Sequence, residues 1–92
     1  MNITQLINNK GNAVKNQFVI HTAKGMYFKS YNSLIAFKPS TGCSIVLTSD
    51  WNYSVTTLKH LKTFLCTDMS KAQIQKEIDN GGIILDDNLT LS

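Results

Sequence analysis

Residues 51–65 read WNYSVTTLKHLKTFL, a polar and aromatic turn that runs directly into an amphipathic helix. Ser54 suits the start of this helix, because a serine hydroxyl accepts a hydrogen bond from the unpaired N–H groups of the first turn. Trp51 and Tyr53 precede it, and we expect both rings to pack over that turn. Four apolar residues then recur every three to four positions and predict one buried stripe. They are Val55, Leu58, Leu61 and Leu65.

Strands are predicted on the N-terminal side of this helix. Glycine at position 25 suits a tight turn between two of them. Four strands with short connections indicate an antiparallel meander. The predicted strands cover residues 17–22, 26–31, 34–38 and 43–47.

Two further helices and an edge strand complete the predicted fold. Residues 2–7 predict a short N-terminal helix, and Ser70 is expected to cap a second helix over residues 70–79. Residues 83–85 are expected to form a last edge strand. The predicted architecture is α+β: a four-stranded antiparallel meander, with a C-terminal helical hairpin packed on one face and the short N-terminal helix. We expect a single compact domain over residues 1–92, with a polar tail from about residue 86.

Length and composition disfavour an elaborate enzyme. The chain has 92 residues, of which 42% are hydrophobic. A domain of this size buries only about 60 to 65% of its unfolded surface, which gives little support to a strained active site. The acids, histidines and cysteines also match no catalytic or metal-binding spacing, so we expect no catalytic residue, no metal and no cofactor.

The two cysteines and the apolar segments bear on compartment. The chain starts without a secretory signal, so Cys43 and Cys66 are interpreted as free thiols of a reducing cytoplasm, with a single disulfide as the alternative. Cys43 is expected to point inward from a strand and Cys66 to end the helix against the core. No apolar run is long enough to cross a bilayer, so no membrane contact is expected.

Charge is distributed unevenly along the chain. Up to residue 67 there are seven lysines and one acid, Asp50, whereas from residue 68 there are five acids and two lysines. A basic body with an acidic end favours an anionic partner or self-association, and a solvated surface with chance clustering is the alternative. All nine basic residues are lysine, so any contact with nucleic acid would be mainly electrostatic and sensitive to salt.

One face of the strand over residues 26–31 is a candidate binding surface. Strand alternation places Tyr27, Lys29 and Tyr31 together, and His21 and Lys38 join them if their strands are neighbours. Aromatic rings interleaved with cations stack bases and follow a phosphate backbone. A sheet covered on one side also has an ordinary polar solvent face, and that alternative stays open.

The predicted helix that begins at Ser54 carries a second candidate binding surface. Lys59 and Lys62 lie opposite the leucine stripe, with His60 nearby, and can form an anion-binding face. The alternative is the solvated side of an amphipathic helix.

Two segments resemble a family of small proteins common in phages and phage-derived elements. Residues 26–36 match a YFxSYxSxIA strand pair, and residues 51–65 match a WxYSxTTxKxLxxFL turn and helix. The resemblance covers roughly residues 18–80 and implies no particular activity. The pattern residues are interpreted as fold determinants. They are Ser30, Tyr31, Trp51, Tyr53, Ser54, Thr57 and Phe64.

The resemblance implies a context in which small proteins act by binding. We therefore expect a non-enzymatic phage accessory protein in the cytoplasm of the host cell, which binds and inhibits a host macromolecule. The expected partner is a host protein or ribonucleoprotein, foremost a defence complex of the CRISPR–Cas type. The alternative is a DNA- or RNA-binding module that uses the Tyr27, Lys29 and Tyr31 face. The sequence defines no oligomeric state.

Overall fold

The computed structural model describes residues 2–8, 10–42 and 44–90. Its six strands form one sheet, in which each strand lies beside the strands that precede and follow it in the sequence. The first five strands are successively antiparallel, and the sixth runs parallel to the fifth. A 3₁₀ turn at Ser49–Asn52 precedes the helices α1 (Val55–Leu65) and α2 (Lys71–Asp79). The strands are β1 (Asn2–Ile7), β2 (Ala13–Thr22), β3 (Gly25–Ser30), β4 (Ser33–Pro39), β5 (Val46–Leu47) and β6 (Ile84–Leu85).

The predicted N-terminal helix is wrong, because Asn2–Ile7 is the edge strand β1. Six residues are too few for a stable isolated helix, and pairing with β2 satisfies their backbone groups instead. Strand β2 begins at Ala13, earlier than predicted, and so provides the length that this pairing needs. The turn between them is held by the Asn8 side chain, whose Oδ1 accepts hydrogen bonds from the N–H groups of Lys10 (2.9 Å) and Asn12 (3.0 Å).

The four-stranded meander with a C-terminal helical hairpin is also wrong. Strands β1 to β4 form an antiparallel meander, but the sheet has six strands and is mixed. The two helices form the crossover from β5 to β6, and a crossover is what allows two strands to pair in parallel. The predicted edge strand near residue 84 exists in this parallel position, and the α+β class holds.

Both helices start at the predicted caps. The Ser54 hydroxyl accepts a hydrogen bond from the Thr57 N–H at 3.0 Å. Ser70 and Gln73 form a reciprocal capping box, in which the Gln73 side chain accepts from the Ser70 N–H at 2.8 Å. Such a cap contributes about 1 kcal/mol to helix stability, which fixes where α1 and α2 begin.

The buried stripe of α1 differs from the prediction at its first member. Leu61 and Leu65 are buried as expected and Leu58 is partly buried, but Val55 is 86% exposed. Thr57 and Phe64 complete the buried face instead. At about 100° per residue, Val55 lies roughly 160° around the helix from Thr57, so the two cannot share one face. In the preceding turn Trp51 is buried as expected, whereas Tyr53 is exposed.

The core lies between α1, α2 and one face of the sheet. Phe28 of β3 stacks on Phe64 of α1, with ring centroids 5.4 Å apart. Twelve buried residues form this cluster. They are Leu6, Val19, Phe28, Ile35, Ala36, Leu47, Trp51, Leu61, Phe64, Leu65, Ile74 and Ile83.

Candidate functional sites

Apolar side chains also lie on the face of the sheet that is opposite the core. Ile20 and Tyr27 are buried but are not members of the core cluster. Successive side chains of a strand point to opposite faces, and both residues alternate with core residues, Val19 and Phe28. We call this surface the open face, because the helices of the described chain pack on the other side.

Strand register aligns one apolar residue from every strand on the open face. The central members pack closely, since the rings of Tyr27 and Phe37 have centroids 4.5 Å apart. Tyr27 is 3% exposed, whereas Ile3 on the edge strand is 62% exposed. We call these six residues the apolar row. They are Ile3, Ile20, Tyr27, Phe37, Val46 and Ile84, in spatial order.

A cavity of about 520 Å³, here called the polar pocket, opens where β2, β3 and β4 approach the 3₁₀ turn and the start of α1. Gln17 lies in its wall and is 2% exposed. Among the described residues, no donor pairs with the buried Gln17 Oε1 atom. Ten described residues line the pocket: Gln17, Ser30, Tyr31, Ser33, Ile35, Asp50, Tyr53, Ser54, Thr56 and Thr57.

The backbone beside this pocket adopts an uncommon conformation. Asn16 and Tyr31 have φ angles of 64° and 54°, in the left-handed region. Asparagine tolerates this region, but a tyrosine there is infrequent. The Tyr31 N–H donates to the Asn16 carbonyl at 2.8 Å, which joins the two residues and holds the Tyr31 ring at the pocket.

A second cavity, of about 490 Å³, lies along the outer side of α1 and is here called the lysine groove. It contains both lysines that the sequence singled out, Lys59 and Lys62. Cys66 also lines it as an exposed free thiol, so the expectation that Cys66 packs against the core is wrong. Cys43 lies outside the described residues. The other lining residues are Val55, Leu58, Thr63, Thr67 and Asp68.

The structure distributes the predicted binding residues over four places. Tyr27 and Lys29 lie on the open face, whereas Tyr31 lines the polar pocket. Lys38 pairs with Met26, which packs against the core, and so lies on the helix-covered side. The expected grouping of Tyr27, Lys29 and Tyr31 on one face is therefore not observed, because the left-handed backbone at Tyr31 ends the strand alternation.

Sequence reasoning missed the apolar row and the buried Gln17. A helix over residues 2–7 takes the edge member, Ile3, out of the sheet, so the predicted fold contains no such row. One signal was present: residues 18–20 read FVI, an uninterrupted apolar run, and such runs mark strands that are apolar on both faces. No comparable signal distinguishes Gln17 from an exposed glutamine.

Two other kinds of site are not found among the described residues. No three histidine, cysteine, aspartate or glutamate side chains within residues 2–8, 10–42 and 44–90 gather closely enough to hold a metal ion. In that same part of the chain, no helix is both long and apolar enough to span a membrane.

The segment expected to be a polar tail is attached to the sheet and to the 3₁₀ turn. The Asp86 N–H donates to the Leu47 carbonyl at 2.8 Å. Asp87 Oδ1 accepts the Ser49 N–H at 2.6 Å, and hydrogen bonds from Ser49 hold the pKa of the Asp87 carboxyl below its ordinary value. The ionised Asp87 side chain therefore stabilises the start of the 3₁₀ turn.

We expect stability to decrease in mild acid because of His60. Desolvation by burial and the nearby Lys59 charge lower the pKa of His60 from its ordinary value of 6.5. As the pH falls below 6.5, the unfolded chain takes up a proton more readily than the folded chain, so the free energy of unfolding falls. Urea titrations between neutral and mildly acidic pH should show this decrease, and His60→Gln should remove it.

Asp87 provides the matching control at lower pH. Its depressed pKa contributes stability that is present above 3.8 and is lost as the pH falls through the folded-state value. Asp87→Asn should therefore leave the His60 step intact and reduce only the loss at lower pH. Equal acid sensitivity of the wild type and His60→Gln above pH 5 would contradict the assignment.

These features define a small α+β protein with helices on one side of a mixed sheet and an apolar row on the other. Residues 1–80 match a family of unknown function, DUF8033, and the chain belongs to that family. Comparison with curated proteins gives no significant match. Comparison with solved structures gives none either.

Proposed function

We propose that this protein is a phage accessory protein that acts by binding rather than by catalysis. In this proposal it works in the cytoplasm of the host cell and inhibits a host macromolecule, a defence complex of the CRISPR–Cas type. The resemblance of residues 26–36 and 51–65 to phage proteins supports the setting. The apolar row supports the mode of action.

The apolar row carries the proposal because it presents aromatic and aliphatic side chains outside the core. Its edge members, Ile3 and Ile84, are exposed hydrophobic residues, while Phe37 and Val46 are partly buried between them. Ile20 and Tyr27 are buried, so the surface that the row offers to a partner is that of its exposed ends and of the partly buried Phe37 and Val46, and exposed apolar surface is where proteins contact one another. A protein partner that covers the row removes this surface from water, at roughly 25 cal/mol for each Å² buried.

The same geometry favours a protein partner over free nucleic acid. Stacking on a base requires an accessible ring face, and Tyr27 is only 3% exposed. The basic body of the chain adds long-range attraction to an anionic partner, and a ribonucleoprotein complex offers both apolar protein surface and negative charge. Lys29, half-buried on the open face, lies where such a partner would dock.

Two lysine substitutions at exposed apolar residues test the proposal. Ile3→Lys places a charge in the apolar row, and Val55→Lys places the same charge on the far side of α1, where the native side chain is also exposed. In bacteria whose CRISPR–Cas system targets a phage, the wild type and Val55→Lys should restore plaque formation, while Ile3→Lys should not. Affinity for the inhibited complex should fall roughly 30-fold or more in Ile3→Lys, as for an interface hot spot.

Thermal melts of both variants establish that they remain folded. Equal protection by Ile3→Lys and the wild type would contradict the use of the open face, and failure of the wild type to protect against any defence system tested would contradict inhibition. Tight oligonucleotide binding at physiological salt that disappears in Tyr27→Ala or Tyr31→Ala would instead support the nucleic-acid alternative.

A further inference from the structure

The polar pocket is a second site, formed by different residues from the apolar row. We propose that it binds a guanidinium group. This inference does not depend on the proposed function, because no residue of the apolar row lines the pocket. It rests on a buried unpaired acceptor, on the sign of the charge at the pocket and on two exposed tyrosine rings.

The buried acceptor is Gln17 Oε1. Polar atoms in protein interiors are almost always hydrogen-bonded, and a buried amide oxygen without a donor destabilises the fold. Gln17 pairs in register with Ser30 and lies in the wall of the cavity, and no described residue donates to its Oε1. Because Oε1 itself is buried in the ligand-free protein, a ligand that brings an N–H group into the cavity satisfies this atom once the Gln17 amide turns toward it.

The charge at the pocket favours a cationic ligand. Asp50 is among its lining residues, and none of the described lining residues is a lysine. A phosphate group would therefore enter without a counter-charge. The described lysines lie outside the lining, and physiological salt screens exposed charges beyond about 8 Å. A direct hydrogen bond between a cation and the Asp50 carboxylate is the larger effect.

The aromatic side chains select guanidinium over ammonium. Tyr31 and Tyr53 line the pocket and are both exposed large hydrophobic residues. A guanidinium is planar, carries five N–H donors on an arginine side chain and stacks on aromatic faces, whereas an ammonium is compact and strongly hydrated. A guanidinium therefore combines N–H donors for Gln17 Oε1 and Asp50 with a planar cation that stacks on the tyrosines.

The source of the guanidinium lies outside this chain. All nine basic residues of the sequence are lysines, so a second copy cannot supply the group. Two kinds of ligand carry a guanidinium group: a free guanidino compound, or an arginine side chain of another protein. A cavity of about 520 Å³ is large enough for either, since small-molecule pockets span roughly 300 to 1,000 Å³.

Titrations followed by NMR of the backbone amides test the assignment with four probes. Butylguanidine represents the free compound, and N-acetyl-arginine amide represents an arginine within a chain. N-acetyl-citrulline amide is the uncharged analogue of the same shape, and N-acetyl-lysine amide carries an ammonium. Both guanidino probes should shift the amide signals of residues that line the pocket. The citrulline and lysine probes should bind at least about 10-fold more weakly, because each lacks a feature that the pocket recognises.

Variants locate the binding to the pocket. Asp50→Asn should weaken the guanidino probes about 10-fold. Asp68→Asn, which changes an exposed acid in the lysine groove, should leave their binding unchanged. Gln17→Met removes the unpaired acceptor, so it should raise the melting temperature of the ligand-free protein and reduce the further rise that butylguanidine gives to the wild type.

Each outcome supports or contradicts the proposal, or identifies the source of the guanidinium group. Tighter binding of butylguanidine than of N-acetyl-arginine amide supports the site with a free compound as ligand, and the reverse order supports the site with an arginine of a partner protein. Equal binding of the arginine and citrulline probes, or unchanged binding in Asp50→Asn, would overturn it.

Discussion

Replacing Leu61 by alanine should destabilise this protein by roughly 2 to 5 kcal/mol. Leu61 is fully buried in the core cluster, where α1 packs on the sheet. Truncation removes apolar contacts and leaves a cavity that the surrounding side chains fill only in part. A small domain has only about 5 to 15 kcal/mol of stability, so the melting temperature should fall by roughly 10 °C or more.

Val55→Ala is the matched control for Leu61→Ala, because both residues belong to α1 and Val55 is 86% exposed. Its melting temperature should stay close to that of the wild type. A melting curve for Leu61→Ala that overlaps the wild-type curve would mean that α1 does not present this face to the sheet.

Replacing Gly25 by alanine should be about as damaging, for a different reason. Gly25 begins β3 with a φ of 149°, which side chains rarely adopt. A Cβ atom there would collide with the Lys38 carbonyl oxygen and would lie 2.9 Å from Pro39 Cα, both in the backbone of the paired strand β4. Backbone strain and overpacking each cost about 1 to 3 kcal/mol, so we expect a loss of roughly 2 to 5 kcal/mol in urea titrations.

Gly11→Ala separates the two contributions to the Gly25 effect. Gly11 also has a positive φ, of 82°, but a Cβ atom there would meet nothing within 4 Å. Its replacement should therefore cost only the conformational part, about 1 kcal/mol. Equal losses in the two variants would show that the contact with β4 contributes nothing.

Local signals are enough to predict α1, α2 and the turn between β2 and β3. Ser54 and Ser70 cap α1 and α2 as their sequence context indicates, because the interactions of a cap lie within a few residues. The turn at Gly25 is likewise recognisable, since the positive φ that favours glycine belongs to the turn itself, whereas the close approach of β4 depends on strand pairing. Local signals do not predict which side chains of α1 are buried, because the fold decides which face of a helix is covered. Leu58 is only partly buried and Val55 is exposed.

Long-range pairing explains what the sequence did not reveal. Residues 2–7 carry apolar residues at a spacing that suits a short helix as well as a strand, and only pairing with β2 decides between them. The edge strand near residue 84 was predicted, but its parallel pairing was not, because its partner Val46 is far away in the chain. Because the apolar row needs both edge strands, its existence followed only from the assembled sheet.

The positions of the candidate binding residues also depend on the assembled fold. Tyr27 and Tyr31 were assigned to one surface by strand alternation, and alternation fails where the backbone of Tyr31 becomes left-handed. Gln17 is buried by residues from the other strands and from α1, so its environment is a tertiary property.

Methyl NMR of the protein bound to the host complex that it inhibits tests the central claim most directly. Ile3 and Ile84 report on the two edges of the apolar row, and Val55 reports on the exposed side of α1. If the open face is the binding surface, the methyl signals of Ile3 and Ile84 should shift or broaden on binding while those of Val55 stay in place. Perturbation of Val55 with unchanged Ile3 and Ile84 would contradict the account.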